Sequence, residues 1–139
     1  MVKAWGTAEW QSPSLLTCAA MLLALRLSLR ACGYGRVIRW VGGRVRSIPA
    51  TDALDLHAVR AAAHTVATAA ALYPGRARCL EQSLVLYYLL RRRGVALRYR
   101  QGVMPHPFQA HAWIEYRGDV ITDVAEHAAQ FARLPDQLP

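Results

Sequence analysis

An α+β fold is predicted by a change of period along the chain. Up to Gly94 the apolar residues recur at helical spacing between helix-type breakers. Beyond it the pattern alternates, residue in and residue out, as strands do. Helices first and hairpin-connected strands after them read as helices packed on a small antiparallel β-sheet, with a cysteine-bearing helix at the centre.

The elements follow in order. Ser12–Pro13 is a helix start, serine as cap and proline in the first turn, and the helix runs to about Ala31 before Gly33–Gly35 stop it. "GRVIRWVGGRVRSIP" fits a short helix or a strand equally well. Thr51 or Asp52 opens a helix over the alanine-rich "TDALDLHAVRAAAHTVATAAALYPG", which Pro74–Gly75 closes. "RCLEQSLVLYYLLRRRG" is a third helix, from about Arg78 to Arg93, with Gly94 just past its end. Arg91, Arg92 and Arg93 then read as a solvated last turn matched to the helix dipole. "VALRYRQGV", "QAHAWIEY" and "VITDV" are three strands, "PHPF" a loop and "RGD" a turn, and "AEHAAQFARL" reads as a closing helix. The domain reading is a single unit over 1–139, with an N-terminal helical region at 1–50 and the core at 51–139.

At 139 residues, 54% of them hydrophobic and with mean hydropathy +0.11, the chain holds enough apolar surface for a real core and is not a disordered tail. Net charge is +8 and the pI about 10.1, which favours anionic partners. All but Lys3 of the 17 cations are arginine, so a GC-rich coding bias accounts for part of that excess. Aromatic residues near the arginines are too sparse to point to nucleic acid. The apolar run Leu15–Leu25 meets Arg26 and Arg30 before reaching the ~20 residues a membrane span needs. Trp5, Glu9 and Trp10 ahead of it do not suit a signal peptide. Cys18, Cys32 and Cys79 are odd in number and lack a Cys-x-x-Cys pair, which suggests neither a disulfide framework nor a zinc ribbon and fits a reducing cytoplasm.

Chemistry concentrates in three residues. Cys79 heads a helix, where unsatisfied N–H groups and positive potential stabilise a thiolate. Taken alone it is as readily a small core residue. His57 and His64 lie seven apart on one helix, a poor metal spacing. His106 sits in the loop and His127 near the tail. His111 stands in mid-strand between two alanines, which leave its ring room to face a cleft. Alternation groups it with Gln109, Trp113 and Glu115. Asp123 ends an apolar strand, a poor place for a solvated carboxylate. A three-residue turn at Arg117–Asp119 would pair Tyr116 with Val120 and set Asp123 diagonal to His111 on one face. A two-residue turn would send it to the opposite face unless a bulge intervenes. A helix-start cysteine, a strand histidine and an aspartate on the next strand make a Cys–His–Asp arrangement.

The segments "CLEQSLVLYYLLRRRG", "GVMPHPFQAHAWIEY" and "VITD" together resemble the transglutaminase-like, papain-type cysteine peptidases of lasso peptide biosynthesis, the stand-alone leader peptidases of that pathway. The likeness is dense from about Arg78 to Asp123; the N-terminal helices match in general character and length. It implies a transglutaminase-like core with Cys79 as nucleophile, His111 as general base and Asp123 as its orienting group. It implies removal of the leader from a ribosomally made precursor peptide, together with a small leader-recognition partner protein and beside an ATP-using cyclase. No metal or organic cofactor is required by that scheme. The Cys79 backbone N–H is one candidate oxyanion donor, and Gln82 is too far into the helix to be a second. The N-terminal helices read as the other half of the core or as a docking face for the partner. Two other readings share the same residues: an acyltransferase, and a binding module for a leader peptide or nucleic acid in which the thiol is idle.

Overall fold

The computed structural model describes residues 11–72 and 79–139. Four helices precede the sheet: α1 Leu15–Cys32, α2 Tyr34–Val45, α3 Leu56–Leu72 and α4 Cys79–Arg91. Strands β1 Arg98–Pro105, β2 Phe108–Tyr116 and β3 Asp119–Val120 follow, then a single-turn helix α5 Ala125–Ala128 and strand β4 Ala132–Arg133. The strands form one antiparallel sheet in the order β3-β2-β1-β4. The architecture is therefore α+β, as the change of period predicts.

Local chemistry moves several boundaries. Ser14, not Ser12, caps α1: its Oγ accepts the Thr17 N–H at 3.1 Å. The ambiguous stretch after Gly33 is helical, and Val37, Ile38, Val41 and Val45 form its buried stripe. The alanine-rich helix starts at Leu56, four residues later than Asp52. Residues 51–55 hold back because Thr51 bridges to Val95, accepting from the Ala96 N–H and donating to the Gly94 carbonyl at 2.8 Å each. The expected stop at Pro74–Gly75 and the expected helix start at Arg78 lie outside the described residues. The tail corrects the closing-helix reading: it holds one helical turn and then adds an edge strand to β1 through Gly102↔Arg133 and Val103↔Ala132.

The arginine triplet is also corrected. Arg91 is only 4% exposed and donates to the carbonyls of Val45 and Ile48. Those carbonyls belong to the C-terminal end of α2 and the turn beyond it, where acceptors are left over. Arg91 is thus a buried cap on a neighbouring helix rather than a solvated end. Arg92 stays exposed.

The main core lies between the helices and one face of the sheet. Cys18, Leu22, Val41, Val59, Val66, Leu86, Tyr87 and Leu90 meet Tyr99, Ala112, Ile114 and Tyr116 there. From the N-terminal helices α1 and α2, Cys18, Leu22, Val37, Ile38, Val41 and Val45 enter that core. The other face carries a smaller cluster of Trp113, Ala128 and Phe131. α4 is pinned against the sheet by Ser83, whose Oγ donates to the Ala112 carbonyl at 3.2 Å.

Gly102 lets the tail close over the second face. A Cβ there would stand 2.7 Å from Phe131 Cβ, 3.0 Å from the Ala132 carbonyl oxygen and 3.1 Å from Trp113 Cη2. Two of those three belong to well-packed aromatic side chains and one is backbone, so little can yield. Gly102→Ala is expected to lower stability by about 1–3 kcal/mol, the usual cost of overpacking. Urea denaturation measures it; a loss below about 0.5 kcal/mol would mean the tail is not seated against β1 as described.

Candidate active site

β1 pairs with β2 over its whole length, from Arg98↔Glu115 to Pro105↔Phe108, which sets His111 opposite Gly102. The absent side chain at Gly102 leaves the imidazole side of the sheet open to Phe131 and Trp113. The His111 ring lies 5.1 Å from the Phe131 ring and stacks on Trp113 at 5.8 Å. Trp113 is fixed in turn by Glu115, whose Oε1 accepts its indole N–H at 3.1 Å and Arg133 at 2.7 Å, while Oε2 accepts from Arg100 at 3.1 Å. Glu115 is 7% exposed and would be costly there without those donors. The sequence placed it on the His111 face but assigned it no partners.

Asp123 meets His111 as expected, by a different route. The hairpin closes through a two-residue turn, Arg117–Gly118, with pairs Glu115↔Val120 and Tyr116↔Asp119. Both turn residues have positive φ, 52° at Arg117 and 83° at Gly118, the pattern of the mirror-image turn that suits a twisted hairpin. The expected three-residue turn and its Trp113–Asp123 pairing are thereby corrected. Continued unbroken, the observed register would place Asp123 opposite Ala112, on the helix side.

The ladder does not continue. The Ile121 N–H still reaches the Ile114 carbonyl at 2.8 Å, but the Ile114 N–H turns to the Thr122 Oγ1 at 3.0 Å. A side-chain hydroxyl has replaced the backbone acceptor. Strand β3 therefore ends at Val120, the next residues bend, and Asp123 swings back to the other face. There its Oδ2 lies 2.7 Å from His111 Nε2.

The same oxygen has a second partner that sequence reasoning missed. His127 Nδ1 is also 2.7 Å from Asp123 Oδ2, one helical turn along. The remaining oxygen, Oδ1, accepts the Val124 N–H at 2.8 Å. Burial works to raise the Asp123 pKa. The bonds from His127, the Val124 amide and His111 outweigh it and hold the carboxyl below its ordinary value. An ionised carboxylate only accepts, so His111 carries its proton on Nε2 and keeps Nδ1 as an acceptor. The signal for His127 is the i, i+4 spacing in "DVAEH", readable only once the helix is known to begin right after Asp123.

Cys79 is half-buried in the first described turn of α4. It lies one turn before Ser83, whose Oγ bonds the Ala112 carbonyl of β2, and on the same face of α4. Burial is the chief cause that pushes the Tyr99 phenol up, and Tyr34 and then Cys79 add to the rise. The remaining cysteines are Cys18, fully buried in the core, and Cys32, exposed at the end of α1. His57, His64 and His106 are exposed. Gln82 is half-buried in α4 and borders a hollow with His64, Ile121 and Thr122.

The arrangement can orient an imidazole and present it as a proton acceptor, with a thiol at the head of the helix packed on the same strand. No curated protein and no solved structure matches the chain. The family model described as the transglutaminase-like superfamily matches residues 7–136, spanning every element from α1 to β4. With an α+β core to match, the chain belongs to the transglutaminase-like superfamily.

Proposed function

We propose that this protein is a cysteine peptidase that removes the leader from a ribosomally synthesised lasso precursor peptide. The observation that carries the reading is the His111–Asp123 bond at 2.7 Å, made by the two residues that the lasso-peptidase resemblance names. The superfamily includes cysteine peptidases and acyltransferases alike; the dense likeness from Arg78 to Asp123 favours the former.

In this reading Cys79 Sγ attacks the scissile carbonyl carbon, and the thiol proton passes to His111 Nδ1. Nε2 stays bonded to Asp123, which stabilises the imidazolium. The oxyanion is met by the N–H groups at the start of α4. His111 gives its proton to the leaving amine, water attacks the thioester, and the leader is released as an acid. The chain works in a reducing cytoplasm with a small leader-recognition partner. For that partner the exposed Leu15, Leu16, Leu23, Leu27 and Trp40 offer an apolar face on α1 and α2, bordered by a groove of about 410 Å³. α1 is apolar and long enough to cross a membrane by length and composition, but it carries Arg26 and Arg30.

Two measurements test the reading. The wild-type chain, mixed with the precursor peptide and the leader-recognition partner, should give one cut by mass spectrometry. An intact but bound peptide would favour the binding module, and transfer of the acyl group to an added amine would favour the acyltransferase. Independently, iodoacetamide at neutral pH should label Cys79 on the order of tenfold faster than exposed Cys32. Cys18 should stay unlabelled, since burial raises its pKa despite the opposing pull of Arg93. Equal rates at Cys79 and Cys32 would mean an idle thiol.

A further inference from the structure

Two imidazoles converging on one carboxylate oxygen is more than an orienting pair requires. The ligand atoms of His111, Asp123 and His127 all lie within 4.8 Å of one another. The two rings are packed edge to face at 4.9 Å, and both rest on Phe131, at 5.1 and 5.3 Å. The cluster is therefore held from behind by a buried ring while its mouth faces solvent: the His127 side chain is 45% exposed. Asp123 is steadied from outside the cluster by the Val124 N–H on Oδ1, the kind of support that orients metal-binding carboxylates.

We propose that His111, Asp123 and His127 form a three-ligand site for a zinc-class divalent cation, and that occupancy switches the catalytic imidazole off. The donor set, two neutral imidazoles and one carboxylate with a fourth position open to water, is one that zinc takes. Tetrahedral ligands about 2.0–2.1 Å from zinc stand roughly 3.3 Å apart. The two N–O separations of 2.7 Å would open by about half an ångström and the two ring nitrogens, which lie within 4.8 Å of each other, would close by up to about 1.5 Å, both by side-chain rotation.

The consequence for His111 rests on the peptidase reading. Metal coordination through Nε2 uses the lone pair of that nitrogen. Its proton then resides on Nδ1, with no net proton released by a neutral imidazole. Nδ1–H cannot accept the thiol proton, so zinc would inhibit without touching sulfur. His127 undergoes the same exchange, from Nδ1–H to Nε2–H. This differs from the usual capture of zinc by a cysteine thiolate, and the difference can be measured.

The test uses Cys79→Ala, so that binding is read without the nucleophile and without any activity. Zinc chloride is titrated against a chromophoric chelator. The expected result is one zinc per chain, retained in Cys79→Ala and weakened at least about tenfold in His127→Ala and in His127→Gln. Cobalt in the same site should show visible d–d bands without a thiolate charge-transfer band. Wild-type affinity in both His127 variants, or loss of the site in Cys79→Ala, would overturn the proposal. Should the wild type cleave nothing, these titrations still decide the metal site. Should it cleave, zinc must inhibit it, and at least about tenfold more zinc must be needed in His127→Gln.

Discussion

Cys79→Ala is expected to abolish precursor cleavage, by at least about 10³-fold and up to the order of 10⁶-fold, without loss of peptide binding or of fold. The size follows from what the thiol does. In the proposed scheme it is the atom that forms the covalent bond, and the hydroxyl one turn further along α4 does not replace it: Ser83 is committed to the Ala112 carbonyl at 3.2 Å. What remains after the substitution is binding and the oxyanion donors. The fold should survive because Cys79 is half-buried at a helix start and outside the core formed by Leu84, Leu86 and Leu90. Loss of one sulfur there costs far less than a cavity in that core, where removal of a leucine side chain takes about 2–5 kcal/mol. Cleavage is followed by mass spectrometry with the partner present, and stability by thermal melting. A variant that cuts at the wild-type rate would remove the sulfur from the mechanism and the peptidase reading with it. A variant that fails to melt cooperatively would instead show Cys79 to be a packing residue.

The residues of that site were legible in the sequence for reasons of residue type, while the path that brings them together was not. A cysteine at a helix start, a histidine between alanines and an aspartate after "VIT" each sit oddly for a purely structural role, and the period change at Gly94 announced the sheet that carries two of them. Turn chemistry hid the register. Arginine is not a residue whose preference signals positive φ, yet Arg117 adopts 52° because Gly118 beside it completes a two-residue turn. Counting Asp119 into the turn was the natural error. The compensating step is a Thr122 hydroxyl taking the place of a carbonyl, a local competition between side chain and backbone that alternation does not encode. His127 stayed hidden because its role depends on one short turn of helix beginning at Ala125. Arg91 misled in the opposite sense. Its neighbours make it look like part of a solvated triplet, and only the arrival of the α2 end at the same spot gives its charge acceptors. Pairings between elements remote in sequence leave little trace in a single chain; residue chemistry and local period leave a strong one.

Asp123→Asn separates the carboxylate's charge from its shape, and a loss of roughly 10²–10⁴-fold in cleavage is expected from it. Three donors surround this side chain. The Val124 N–H points at Oδ1, and the ring nitrogens of His111 and His127 both point at Oδ2. An ionised carboxylate accepts all three. An amide has one acceptor oxygen and one donor nitrogen, so it cannot. If the amide oxygen keeps the Val124 bond, its NH₂ faces both rings, and each must turn its proton to the far nitrogen to accept. His111 would then hold its proton on Nδ1, where the thiol proton has to arrive. If instead the oxygen faces the rings, the NH₂ meets the Val124 N–H, an unpaired donor against a donor costing about 1–3 kcal/mol where it is shielded from water. Either orientation impairs the base, the first by tautomer and the second by displacing the start of α5. The change adds no volume, so a melting temperature near the wild-type value together with a slow enzyme is the signature of the first. His111 tautomers are distinguished by ¹⁵N chemical shifts of its two ring nitrogens. The wild type should show the proton on Nε2 and the variant on Nδ1. An unchanged tautomer with unchanged cleavage would mean that Asp123 caps the start of α5 and does nothing for the imidazole.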